Sequence, residues 1–303
     1  MTGWPGLLSR LPLLRRPPSL ARGTKLLALA DLAAGRGAVS AAIRARCHNV
    51  PLDAHTVLSR VLGRYKMLVD SRDLGLAPHL MLDGFWEYWT TAFVARRLRP
   101  GQVAWDVGAN LGYFSVLMAD AVGPAGRVTA FEPNPRLALL AERNLALNGM
   151  ADRAAVIRAA VTARSRGTLR FRAHLDDPKN GRLVEPGEAE PVEMLEVMEV
   201  AVSTLRLDDM EDPRVDFIKV DVEGAEEAVW AGMQGVLDAN PGITVLLEFN
   251  ALRCREPARL VAEMTARFAL RELRLDGRVR PVDANEMLGR REDTMLVLTA
   301  GRV

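Results

Sequence analysis

The 303-residue chain holds two cysteines, four lysines and only 5% aromatic residues, and each shortage narrows what it can be. Cys47 and Cys254 are too few to staple a fold and too far apart in sequence for a metal knuckle. That usage suits a reducing compartment and makes the cytoplasm the expected location. No uncharged apolar run approaches the roughly 18 to 20 residues of a membrane span, so a soluble protein is expected. The stretch "LPLLRRPP" breaks any apolar segment a secretory signal would need. With lysine confined to Lys25, Lys66, Lys179 and Lys219 among 40 basic residues, the arginine excess reads as coding preference.

What is present is an ordinary globular composition, 49% hydrophobic and 26% charged, with an uneven charge distribution. Residues 1–50 carry eight basic side chains (Arg10, Arg15, Arg16, Arg22, Lys25, Arg36, Arg44, Arg46) against Asp31, so 8 − 1 gives +7 and the net +2 leaves −5 for the rest. Such a start reads as a docking extension or as a surface for peripheral contact with an anionic membrane. Nucleic acid is not an expected partner, because these basic residues lack interleaved aromatics and the remainder is acidic.

"LARGTKLLALADLAAG" and "AVSAAIRARC" have helical apolar spacing, which predicts a largely helical extension over 1–65 and a second unit over 66–303. From Val103 short β-branched runs alternate with helical patterns. Strands are expected at 103–107, 127–131, 155–161, 215–221, 243–249, 269–275 and 294–299, and helices at 111–121, 135–148, 224–238 and 256–267. Alternation of this kind calls for a mainly parallel sheet covered on both faces, with ligands at the carboxyl ends of its strands. Between 162 and 203 it lapses. "GTLRFRAH" and "VEMLEVMEVAV" around the turn "DDPKNGR" predict a β-hairpin insert after the third core strand, its Glu185, Glu188, Glu190, Glu193, Glu196 and Glu199 forming a solvated face or a substrate-shaping lid.

In "VAWDVGANLGYFS", glycines at 108 and 112 let a strand turn sharply into a helix whose N–H groups face a ligand. In "RVTAFEPNP", Glu132 ends the next strand, where a carboxylate can accept two hydrogen bonds from a ribose. A dinucleotide fingerprint would need glycine where Asn110 and Tyr113 stand, so a diphosphate-bearing cofactor and a nicotinamide oxidoreductase are disfavoured. Asp106 would repel phosphate but suits a cationic ligand such as S-adenosylmethionine. In "DFIKVDVEGAEEAVWAGM", Asp221 closes a strand, Lys219 lies on the same strand face, and Glu223 is read as a helix cap. "ITVLLEFN" brings Glu248 and Asn250 to the end of the next strand.

"DVGANLGYFS", "AFEPNP" with "NLALNG", and "DFIKVDVEGAE" together resemble the FkbM-type family of S-adenosylmethionine-dependent methyltransferases, from "DGFWE" at 83–87 through "LLEFN" at 246–250. The resemblance implies an α/β class I methyltransferase (Rossmann-like) fold, with a seven-stranded mainly parallel sheet whose last strand is antiparallel. It implies O-methylation of a hydroxyl on a glycan or natural-product small molecule. Carried over by motif, Asp106, Gly108, Asn110 and Gly112 would hold the methionine part, Glu132 the ribose, and Asn134 would lie beside the adenosine. Glu87 would close over the cofactor, or else be a surface helix acid. Asp221 and Glu248 are the catalytic candidates, as general base or, with Asn250, as ligands of Mg²⁺. His174 is a further candidate base. The alternative to an enzyme is a non-catalytic scaffold that keeps the cofactor fold.

Overall fold

The computed structural model describes residues 25–33, 36–184 and 197–300. Arg10, Arg15, Arg16 and Arg22 of the basic start, and Glu185 through Glu196 of the acidic insert, lie outside them. Helices α1 (Leu29–Leu32) and α2 (Arg36–Arg44) precede a three-stranded antiparallel sheet of β1 (Asn49–Pro51), β2 (Thr56–Val61) and β3 (Tyr65–Asp70). Residues 49–65 are thus not helical, and the expected boundary at 65/66 falls inside the β2–β3 hairpin. In the fold β2 alternates half-buried and buried residues, the period of two of a strand with one face packed.

After a π-helical turn (His79–Asp83) and α3 (Tyr88–Arg97) comes the alternating core: β4 (Val103–Val107), α4 (Tyr113–Val122), β5 (Arg127–Phe131), α5 (Pro135–Leu147) and β6 (Ala154–Ile157). The insert holds β7 (Ala160–Val161), β8 (Thr168–His174), β9 (Arg182–Val184) and β10 (Val197–Leu205). The core resumes with β11 (Phe217–Val220), α6 (Glu226–Ala231), α7 (Gln234–Ala239), β12 (Thr244–Phe249), α8 (Pro257–Arg267), β13 (Arg271–Leu273), β14 (Val279–Pro281), α9 (Ala284–Leu288) and β15 (Thr294–Thr299).

The main sheet runs β14-β13-β15-β12-β11-β4-β5-β6, with β12, β11, β4, β5 and β6 parallel and β15 antiparallel to β12. The expected seven strands are present, and the short hairpin strand β14 adds an eighth at the edge. Alternate residues feed opposite cores, as the pleat requires. Ala104 and Phe217 join the cluster under α3, α4 and α5, while Trp105, Val107, Ile218 and Val220 join the one under α6, α7 and α8. Burial on both faces is why these strands read as continuous apolar runs.

Three departures from expectation have local causes. The third strand stops at Ile157 and the chain passes into a second sheet, ordered β7-β10-β8-β9. The insert is therefore a four-stranded sheet rather than a hairpin: β8 and β10 pair as expected, but β9 pairs the other edge of β8. The helix expected over 224–238 is broken into α6 and α7, because the Asp208 carboxylate accepts from the Val236 amide and caps a new start. The N-terminal sheet is bonded to α5 by Asn144, whose amide accepts from the Leu68 N–H (2.6 Å) and donates to the Leu68 carbonyl (3.2 Å), and by Asn148, which does the same for Lys66. Among the described residues no helix is long and apolar enough to cross a membrane, and both cysteines are free.

Candidate active site

The carboxyl ends of β4, β5, β11 and β12 open onto a cavity of about 300 Å³ whose wall includes Glu87, Gly108, Asn110, Glu132, Asp221 and Glu248. Parallel strands with switched crossovers leave such a crevice between neighbouring strand ends. Gly108 (φ 83°) and Gly112 (φ 86°) do make the left-handed turn the sequence demanded. Their missing side chains, however, make room for the protein itself. A Cβ on Gly108 would collide with the Asp221 carbonyl oxygen, and one on Gly112 would stand 3.0 Å from Cα of Ala141 in α5. The bare turn lets β4 and β11 close against each other, and the ligand space lies beside that junction.

Glu132, 5% exposed, accepts from the backbone N–H of Asn110 (Oε2, 2.8 Å) and of Asn134 (Oε1, 2.8 Å). Those two bonds fix the carboxylate and leave its remaining lone pairs toward the cavity. Burial pushes its carboxyl up to about 7 despite the two amides, which favour the charged form. The Asn134 side chain caps α5 by accepting from the Arg136 and Leu137 amides, so Asn134 serves the site through its backbone and is not on the cavity wall.

Asp106 is fully buried behind the wall. Its Oδ2 accepts from the Ser115 hydroxyl at 2.6 Å, and its Oδ1 has no hydrogen-bond partner. Asp106 stands opposite Lys219 in the β4–β11 register, and the Lys219 ammonium lies 2.9 Å from Oδ2 of Asp221 and 4.8 Å over the Phe114 ring. Burial works to lower the Lys219 ammonium, but Asp221 and Asp106 together hold it above its ordinary value, while burial raises Asp106. One buried cation thus neutralises part of two acids, which its position two residues before Asp221 allowed the sequence to anticipate only for Asp221.

Four more acids gather at the mouth. Glu223 does not cap a helix, since α6 starts at Glu226; it takes a left-handed backbone (φ 52°) and pairs with Arg253 at 2.5 Å. Arg253 also reaches Glu248 (3.3 Å) and Asp293 (2.5 Å). Asn250 is not on the cavity wall: it accepts from the Leu252 amide and donates to Asp293, shaping the turn that carries Arg253. Burial first and then neighbouring acids raise Glu87 and Glu223 to about 7 and raise Glu248 as well. Glu87 has a buried, unpartnered Oε2 and sits in a left-handed backbone (φ 37°) at the start of α3. The loop before it is tied to α4 by Tyr113, whose hydroxyl is shared with Thr91 (2.8 Å) and the Trp86 carbonyl (3.2 Å). Tyr113 therefore fills the position that a dinucleotide fold gives to glycine.

The polar turn of the insert closes the opposite side, with Lys179, Asn180 and Gly181 on the wall beside Phe171, and the Asp176 carbonyl accepts from the Leu74 amide. His174 is not on the wall. Arg253 and Asp293 went unread in the sequence, because nothing near either marks a partner some 40 residues away.

Six carboxylates against Lys179, Lys219 and Arg253 give the wall a formal 3 − 6 = −3. A strand order that reverses beside β4, an antiparallel strand next to β12 and an acidic cleft at the strand ends are the architecture of the class I methyltransferase fold. The methyltransferase FkbM domain matches residues 106–274, more than half of the chain, and the protein belongs to that family of S-adenosylmethionine-dependent methyltransferases. It is 32% identical over 160 residues to the 31-O-demethyl-FK506 methyltransferase FkbM of Streptomyces tacrolimicus, covering 45% of this chain and 61% of that one. A protein-L-isoaspartate O-methyltransferase of Aeropyrum pernix is 49% identical over 51 residues, 17% of this chain and 20% of that one. The matched segments span from 20% to 61% of the curated relatives' lengths. Among solved structures, similarity extends to a putative transferase from Pyrococcus horikoshii (13% identity, TM-score 0.43, covering 81% of this chain and 71% of that one). It extends also to an O-methyltransferase from Thermotoga maritima (15% identity, TM-score 0.38, covering 71% and 65%).

Proposed function

We propose that the protein is an O-methyltransferase that methylates a hydroxyl of a glycan or natural-product small molecule, using S-adenosylmethionine. The bound cofactor supplies a methyl group on a positively charged sulfur. The acidic wall suits that cation, the Glu132 carboxylate suits vicinal ribose hydroxyls, and Pro133, Leu137 and Ala160 offer an apolar surface for a flat base. Asp106, behind the wall, acts on the site through Lys219 and Asp221 rather than by contact.

One observation carries the assignment of chemistry. Glu87, Glu248 and Asp293 line the first cavity and also a second one of about 870 Å³, bounded by Trp89, Arg274, Arg280 and Arg290 among others. An acceptor entering from the second cavity meets carboxylates just where it meets the cofactor space. In-line displacement needs the hydroxyl held collinear with carbon and sulfur and relieved of its proton. Asp221, fixed by Lys219, accepts that proton, and Glu248, whose buried carboxyl is raised above its ordinary value, orients the hydroxyl.

The test is a methyl-transfer screen with labelled S-adenosylmethionine against glycans and hydroxylated natural products, with calorimetry of cofactor binding beside it. Wild-type protein is expected to bind cofactor and to label an acceptor. Glu248→Gln and Asp221→Asn are expected to keep cofactor affinity while turnover falls about 10²- to 10⁴-fold. A chain that gives no heat with the cofactor is a scaffold, and full turnover by both variants removes these acids from the mechanism.

A further inference from the structure

Asp221, Glu223 and Glu248 each offer a carboxylate oxygen within 4.8 Å of the others'. Oxygens on one Ca²⁺ stand at most about 4.6–5.2 Å apart and on one Mg²⁺ at most about 4.0–4.2 Å, so the trio is compact enough to surround a hard cation of the Ca²⁺ class. The charge around the cluster argues against its taking one. The Arg253 guanidinium pairs with Glu223 at 2.5 Å and Glu248 at 3.3 Å through one nitrogen, and with Asp293 at 2.5 Å through the other. The Lys219 ammonium pairs with Asp221 at 2.9 Å. Every member of the trio already faces a tethered cation, and a divalent ion would have to enter against Arg253. The turn holding Arg253 is itself fixed, because its amide donates to the Asn250 carbonyl and the Asn250 side chain is bonded to Asp293.

We propose that Arg253 is the resident cation of this site: its guanidinium does the charge balancing that a divalent ion would do among Asp221, Glu223 and Glu248, so the chain needs no metal, and removing Arg253 uncovers a divalent-cation site. The inference rests on this cleft being a methyl-transfer site only for its functional meaning; the cation chemistry stands on the ion pairs alone. Arg253 is a positioning residue. It holds Glu248 and Glu223 apart from bulk counter-ions and fixes the carboxylates at the mouth between the two cavities. A tethered cation of this kind does not dissociate, which frees the site from the supply of metal.

The experiment is a titration of the full chain with Ca²⁺ and Mg²⁺ by calorimetry, and with Tb³⁺ by luminescence sensitised through tryptophan, Trp86 being on the cavity wall. Wild-type protein and Arg253→Lys are expected to show no stoichiometric site. Arg253→Met is expected to bind Ca²⁺ or Tb³⁺ at one ion per chain, at least about tenfold more tightly than the diffuse, non-stoichiometric binding of wild type, and Glu248→Gln in that background is expected to abolish the gain. Binding of S-adenosylhomocysteine reports whether each variant is folded, and its loss in the wild type would count against the methyl-transfer reading without touching this one. A stoichiometric Ca²⁺ or Mg²⁺ site in wild-type protein that Glu248→Gln removes would overturn the proposal. A folded Arg253→Met that gains no affinity would do the same. If Arg253→Met does not fold, the wild-type titration decides alone: a site refutes the proposal and its absence supports it.

Discussion

Replacing Glu132 by Gln separates the ligand-binding role of this carboxylate from its structural one. In the folded protein its two oxygens take backbone N–H bonds from Asn110 and Asn134 at 2.8 Å each. Gln keeps one acceptor oxygen and turns an amide N–H toward the other donor, leaving one buried amide unsatisfied at about 1–3 kcal/mol. Against this, burial raises the Glu132 carboxyl from 4.5 to about 7, so the folded state holds its proton more tightly than the unfolded chain. For an acid shifted in that direction, stability is lost as pH rises from 4.5 to 7, by about 3 kcal/mol at most, and Gln escapes that loss. The two effects nearly cancel at pH 8, and the variant is expected to unfold in urea within about 2 kcal/mol of wild type. Cofactor binding is expected to fare far worse. Hydrogen bonds to a charged acceptor contribute about 1.5–3 kcal/mol each, and losing the charge and one acceptor costs about 2–4 kcal/mol, or roughly 30- to 1,000-fold in Kd. Calorimetry with S-adenosylmethionine measures the second figure. Affinity within threefold of wild type in a folded variant would refute the placement of the ribose on Glu132.

Four further outcomes follow from the same geometry. Wild-type cofactor affinity should fall about tenfold per pH unit below 7, because the Glu132 carboxyl, raised to about 7, is then protonated and cannot accept from two hydroxyls; calorimetry at pH 8, 7 and 6 measures the slope, and a flat profile contradicts it. Gly108→Ala adds a left-handed strain of about 1–2 kcal/mol to a clash with the Asp221 carbonyl, so a loss of about 2–5 kcal/mol is expected in urea unfolding. Gly101→Ala, with a similar φ but open space around it, should cost only the strain. Lys219→Met leaves Asp106 and Asp221 without their shared buried cation and should destabilise the fold by about 3–5 kcal/mol, measured the same way at pH 7; a loss below 1 kcal/mol would mean that the acids are neutral without it.

What the sequence determined by itself was everything written in short-range patterns. The alternation from Val103 onward predicted a mainly parallel sheet, because strands buried on both faces must be apolar throughout and crossover helices must be amphipathic. Glu132 was legible because a strand end fixes where its last side chain points. The reason for Gly108 was not: the residue that forbids a side chain there is Asp221, more than a hundred positions away, and only the packing of β4 on β11 brings its carbonyl close. The same holds for the cations. Lys219 could be paired with Asp221 by the strand's period of two, but its facing of Asp106 depends on inter-strand register. Arg253, Glu223 and Asp293 meet through turns after three different elements. Asn134 and Asn250, chosen by motif and by strand-end position, proved to hold backbone in place, a choice between ligand and loop that each side chain makes only once its neighbours are present. Local sequence sets periodicity and turn chemistry, whereas the balance of charge in a cleft depends on which distant groups folding encloses together, and that only tertiary structure decides.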